Sequence, residues 1–168
     1  QTELFMEMSA IENVRIGQHV RTKTQISDKS KLIDQDGKFE SAHALVDFVG
    51  LGKYADELAE NLPHGHRRAL GIAIALATAP QLLLLDEPLT GMDAEETLGM
   101  VRIIEKIRSR GTTIILVEHN MRAVMGCCER IAVLKFGQKI AEGSPKEIQS
   151  NPEVIEAYLG ADDTIHGL

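Results

Sequence analysis

The chain has 168 residues, and its 18 Lys+Arg against 25 Asp+Glu give a formal charge of −7, which argues against a nucleic-acid-binding module with a basic face. A hydrophobic fraction of 43% with 26% charged residues argues against global disorder, and the length suits one domain or part of a larger one. Aromatics are only 4% and Trp is absent, so the core must be built from Leu, Ile, Val, Ala and Met.

In chain order, Ser9 followed by Glu12 forms a potential capping box for a helix through Val14 and Ile16. Residues 21–40 carry Lys23, Asp28, Lys29, Lys31, Asp34, Asp36 and Lys38 with few hydrophobes, and predict a solvated loop or insertion. Ala42, Leu45, Val46 and Val49 recur at helical spacing after Ser41, and Gly50 and Gly52 end that helix. A further helix fits His66 to Thr78, stopped by Pro80. The apolar run Ala69 to Ala77 is far short of the roughly 18 residues a bilayer span needs.

From Pro80 the pattern alternates strand and helix. Leu82 to Leu85 is fully apolar, as in a parallel strand covered on both faces. A helix from Ala94 to Arg110 has Asp93 placed to cap it, Glu95 and Glu96 in its first turn, Arg108 and Arg110 in its last, and Gly111 beyond. Ile114 to Val117 predicts a second buried strand, followed by a helix near Met121 to Cys128. Ile131 to Leu134 and Lys139 to Ala141 predict two more strands turned at Gly137, and Pro145 and Pro152 each open a short helix. Cys127 and Cys128, being adjacent, offer neither a disulfide framework nor C-x-x-C metal spacing; they favour a reducing compartment and read as two small apolar residues on a helix.

The chemistry concentrates where the first apolar strand ends in Asp86-Glu87-Pro88, at the edge where α/β proteins bind ligands. Neighbouring side chains at a strand end diverge, so the two carboxylates either divide a task, one for a hydrated Mg²⁺ and one for a water, or form a solvated strand end before a turn. His119, just past the next strand, is structural if alone but functional if it shares that edge.

These residues carry a family resemblance. Leu82 to Pro88 resembles the Walker B segment of ATP-binding-cassette (ABC) ATPases, Thr90-Gly91-Met92-Asp93 their D-loop, and Val117-Glu118-His119 their switch-histidine region. Leu62-Pro63-His64-Gly65-His66, with the helix from Arg67 to Leu76, stands where the family carries its signature motif. Within the family, the Leu-Pro start, the run from Glu87 to Asp93 and the segment Glu129 to Glu142 are similar to cytosolic ATPases of branched-chain amino-acid importers.

The resemblance implies an α/β fold: a partial ABC ATPase domain in which a helical subdomain (1–78) precedes the Walker B half of a mainly parallel sheet flanked by helices (79–142), with a helical tail (143–168). It implies Asp86 as the Mg²⁺ ligand, Glu87 as the group polarising the attacking water, His119 at the γ-phosphate, Gly91 and Asp93 in the D-loop, and ATP with Mg²⁺ as ligands. The signature loop acts in trans on a nucleotide of a second ATPase subunit. The implied function is ATP-powered amino-acid import through membrane permease subunits, at the cytoplasmic face of the inner membrane and without nucleic acid.

Two departures qualify it. A P-loop needs Gly-x-x-x-x-Gly-Lys-Ser/Thr, but Gly37-Lys38 is followed by Phe39 and Gly52-Lys53 by Tyr54, so the sequence contains no P-loop. Gln1 stands at or beside the place of the family's Q-loop glutamine, and the chain reads as a fragment whose first strands lie upstream. In the signature, Pro63 replaces Ser, His64 a Gly and His66 a Gln. His64-Gly65-His66 offers either two ligands of a metal site that lacks a third or, better, helix-start residues near a phosphate. A non-hydrolytic interaction fragment and an ABC-type DNA-repair lobe are the alternative functions; the second is disfavoured by the missing heptads and the acidic balance. The transported amino acid is not legible.

Overall fold

The computed structural model describes residues 3–25 and 41–159, without the side chains of 20–25 and 159, and divides into two compact units, 1–118 and 119–168. In the first, helices α1 (Ala10–Gln25), α2 (Ala42–Phe48) and α3 (His64–Ala77) pack together and precede strand β1 (Leu82–Asp86), helix α4 (Ala94–Ser109) and strand β2 (Thr113–Val117). In the second, helix α5 (Met121–Cys127), strands β3 (Ile131–Lys135) and β4 (Gln138–Gly143), and helices α6 (Pro145–Gln149) and α7 (Pro152–Val154) follow in turn. A wide π-type turn (Ile155–Leu159) continues α7.

The expected Ser9–Glu12 box is present. Ser9 donates from its backbone N–H and its hydroxyl to Glu12 Oε2, both at 2.9 Å, and these bonds hold the Glu12 carboxyl below the ordinary carboxylate range. Buried Asn13 accepts from the Phe5 N–H at 2.9 Å and donates to the carbonyls of Phe5, Met8 and Ser9. Every polar atom of this buried amide therefore has a partner, which fixes the segment ahead of α1. That segment also bonds to residues 55–60: Ala10 N–H to Glu57 C=O, and Ala59 N–H to Met8 C=O, both at 2.9 Å. The start of the chain is thus tied to the stretch leading into α3.

The loop expected over 21–40 is corrected in part. Residues 21–25 continue α1, because the run Arg21-Thr22-Lys23-Thr24-Gln25 is polar but contains no Gly or Pro to end a helix. The rest of that expectation, 26–40, lies outside the described residues, as does the tail from 160 onward. Helix α2 starts on the Ser41 hydroxyl, which accepts from the Ala44 N–H at 3.1 Å, and it buries Ala42, Leu45 and Val46 as the spacing predicts. Helix α3 begins at His64, two residues ahead of expectation, since Pro63 is accommodated at a helix start. Helix α4 has the predicted capping box, with Asp93 Oδ1 accepting from Glu95 and Glu96 N–H and Glu96 Oε2 accepting from the Asp93 N–H.

Strands β1 and β2 are parallel, with Leu83 opposite Ile114, Leu85 opposite Leu116 and Asp86 opposite Val117. Within the described residues, one face of this pair is covered. Leu83 and Leu85 are buried, whereas Leu84 is 67% and Ile115 51% exposed, on the same face as Leu82 and Val117. Strands β3 and β4 form an antiparallel hairpin turned at Phe136-Gly137, both residues having positive φ. Val124, Ile131, Val133, Ile148 and Val154 form the core of the second unit, and the Tyr158 hydroxyl donates to the Leu134 carbonyl.

The closest helix contact gives a paired test. A Cβ on Gly17 of α1 would lie 2.5 Å from the Ile74 carbonyl oxygen and 2.9 Å from Ala77 Cβ of α3, whereas one on Gly99 of α4 would meet nothing within 4 Å. Gly17→Ala should lower urea-unfolding stability by about 1–3 kcal/mol through overpacking. Gly99→Ala should raise it by about 1 kcal/mol through helix propensity. Equal effects from the two would refute this packing account.

Candidate functional site

The site is built where α3 approaches the carboxyl end of β1. Strand β1 delivers Asp86 to its exposed face, in line with Leu82 and Leu84. The next residue, Glu87, leaves the strand with φ 45°, a left-handed conformation that a residue with a Cβ rarely adopts. Neighbouring elements hold it there. Its N–H donates to the Val117 carbonyl of β2 at 2.8 Å, and its own carbonyl accepts from Arg68 Nη1 of α3 at 2.7 Å and from the Thr90 N–H at 3.3 Å. Thr90 Oγ1 donates to Glu87 Oε2 at 3.3 Å. Glu118, just past β2, accepts the Leu89 N–H at 2.8 Å and so fastens the same turn from the other side.

The signature segment sits beside this turn. Leu62 is buried, and Arg67 Nε donates back to its carbonyl at 2.8 Å. Pro63 occupies the N-cap position of α3, and no side chain caps the first turn. A Cβ on Gly65 would stand 2.7 Å from Glu96 Oε1, so the start of α3 lies close to the first turn of α4. One on Gly91 would meet the His64 ring at 3.7 Å. Residues 62–66 and the turn 90–93 therefore meet inside one unit.

The two histidines face different neighbours: His64 lies against Gly91, while the His66 ring meets Tyr54 at a tilt of 41° with centroids 4.8 Å apart. His66 Nδ1 and Arg68 Nε are buried without a hydrogen-bond partner. Among the described residues no group of three His, Cys, Asp or Glu is placed to hold a metal ion, so the two-histidine metal reading gains no third ligand. A cleft of about 500 Å³ opens between α3 and β1, lined among others by His64, Arg67, Arg68, Leu84, Asp86 and Pro88. His119 is exposed and opens the second compact unit, directly after Glu118. Gln1 lies outside the described residues.

Sequence reasoning missed Arg68 and Glu118. Arg68 reads as an ordinary polar position one turn inside α3, and no spacing rule connects it to a carbonyl 19 residues on. Glu118 had a usable signal, since it is adjacent to His119 at the same strand end.

A strand ending in Asp-Glu, a left-handed glutamate, and a helix start meeting a Gly-x-Asp turn thus stand together in the first unit. The chain belongs to the ABC transporter family, whose model matches residues 1–90. Residues 138–164 match a second model, the branched-chain amino acid ATP-binding cassette transporter. The chain is 39% identical over 165 residues to the high-affinity branched-chain amino acid transport ATP-binding protein LivG of Salmonella typhimurium, covering 94% of this chain and 64% of LivG. It is 36% identical over 164 residues to BraF of Pseudomonas aeruginosa, with the same name and the same coverage. The crystal structure of the ADP conformation of MJ1267, an ATP-binding cassette of an ABC transporter, superposes with a TM-score of 0.73 at 26% identity, over 92% of this chain and 64% of that one. The chain thus spans just under two thirds of the relatives it matches.

The strain at position 87 can be measured directly. Glycine is at home at φ 45° and alanine is not, so Glu87→Gly should be more stable than Glu87→Ala by about 1 kcal/mol in urea denaturation. Equal stabilities would mean that residue 87 is not left-handed in solution.

Proposed function

We propose that this chain is the Walker B, signature and D-loop part of an ATPase subunit that powers import of branched-chain amino acids through a membrane permease. The observation that carries the reading is Glu87, held left-handed beside Asp86 at the end of β1 by Arg68, Val117 and Thr90. A carboxylate fixed this way is suited to orient a water for in-line attack on a γ-phosphoryl group, where catalysis rests on positioning and charge.

Asp86 is a single exposed carboxylate, which fits Mg²⁺, an ion that keeps most of its waters and takes one or two protein carboxylates together with substrate phosphates. When bound, the ion neutralises charge on the β- and γ-phosphates. Asp86 would hold it, which would leave Glu87 on the adjoining turn to the water. By the resemblance, His119 would contact the γ-phosphate. The uncapped start of α3 would offer the N–H groups of His64, Gly65 and His66 to a nucleotide on a second ATPase subunit, with Gly91 and Asp93 beside it at the dimer contact. Pro63 stands in place of a serine hydroxyl, so that contact rests on backbone donors. By the resemblance, Gln1 stands at or beside the Q-loop glutamine and would serve the nucleotide. No described helix is long and apolar enough to cross a membrane, and attachment comes through the permease subunits at the cytoplasmic face.

A site of this kind needs a phosphate cradle, and residues 1–168 contain none. The chain alone should show no tight Mg-ATP binding by calorimetry. Joined behind a segment bearing Gly-x-x-x-x-Gly-Lys-Ser/Thr in family register, it should hydrolyse ATP. In that protein, Glu87→Gln should lower kcat by about 100-fold or more while nucleotide binding persists. Full activity with Gln at position 87 would refute its assignment. Tight ATP binding by the chain alone would refute the need for an added cradle.

A further inference from the structure

Cys127 and Cys128 take no part in the nucleotide site. Adjacent side chains normally diverge, by about 100° around a helix and to opposite faces of a strand, so neighbouring thiols in regular structure do not meet. Here the backbone changes state between them. Helix α5 ends at Cys127, and Cys128 is extended at φ −90°, ψ 141°, with its N–H donating to the Val124 carbonyl at 3.0 Å. The Met121–Cys128 helix expected from sequence is therefore one residue too long, and this break brings the two Sγ atoms to 4.0 Å. Cys127 is buried, while Cys128 is half-buried and packs beside Val124, Ile131 and Val133.

We propose that Cys127 and Cys128 form a preorganised dithiol site for trivalent arsenicals. In the hydrated form of an arsenoxide, arsenic carries two hydroxyls. The more accessible Cys128 thiol displaces the first: an As–S bond forms, an As–O bond breaks, and the thiol proton leaves with the hydroxyl as water. Cys127 then displaces the second intramolecularly and releases a second water. Arsenic stays trivalent throughout, so no oxidant or reductant is required. The second step draws its advantage from proximity, since the attacking sulfur is already beside the first.

The probe is phenylarsine oxide, added to the 168-residue chain and followed by intact mass and thermal unfolding. Wild type should take one bridge per chain, which glutathione displaces about 100-fold more slowly than the adducts of Cys127→Ala or Cys128→Ala, and which dithiothreitol removes. Binding should raise the unfolding temperature of wild type and leave both alanine variants unchanged, because a ligand that prefers the folded chain stabilises it. Displacement from wild type as fast as from the single variants would overturn the proposal. So would a lowered or unchanged unfolding temperature, since mere adjacency in an unfolded chain would then account for the bridge.

Discussion

The candidate site depends on one residue being kept in a conformation it would not choose. Left to itself, Glu87 would extend β1 or fold right-handed. Donors and acceptors from β2, α3 and its own turn instead hold both of its backbone polar groups in a left-handed bend. Such strain persists only where the surroundings over-determine the geometry, and it recurs where a reactive group must be aimed. The bend separates Glu87 from Asp86, which otherwise would merely alternate along one strand. Two carboxylates adjacent in sequence can then meet different partners.

Helix α3 joins two sets of contacts. Its first turn lies against the turn 90–93 and the start of α4, and Arg68, within the next turn, reaches the Glu87 carbonyl. A shift of α3 along its axis would disturb both, because packed interfaces of this kind transmit displacement rather than absorb it. Gly17 adds to that rigidity by letting α1 approach the far end of the same helix. The segment leading into α3 is in turn hydrogen-bonded to the residues ahead of α1. The first unit is thus a chain of close contacts running from its amino-terminal segment to the end of β1.

Much of this was legible in the sequence, for identifiable reasons. Capping residues are local, so Ser9, Ser41 and Asp93 announce their helices within three or four residues. The Asp86-Glu87-Pro88 and Thr90 to Asp93 runs are contiguous and carry their chemistry on consecutive residues. What stayed hidden depends on distance or on backbone state. Arg68 and Glu87 meet only after folding, and no residue type at position 87 signals a positive φ. The apolar runs Leu82–Leu85 and Ile114–Val117 announce strands, yet whether one face or two is covered is decided by what packs against them. Residues 21–25 were misread because polarity alone does not separate a solvated helix from a loop.

The open side of the β1–β2 pair has a practical consequence. Leu82, Leu84, Ile115 and Val117 make an oily strip along a short ribbon whose strands, among the described residues, pair only with each other. Surfaces of this sort attract one another in water. Concentrating residues 1–168 by themselves will therefore favour clumping of copies through that strip.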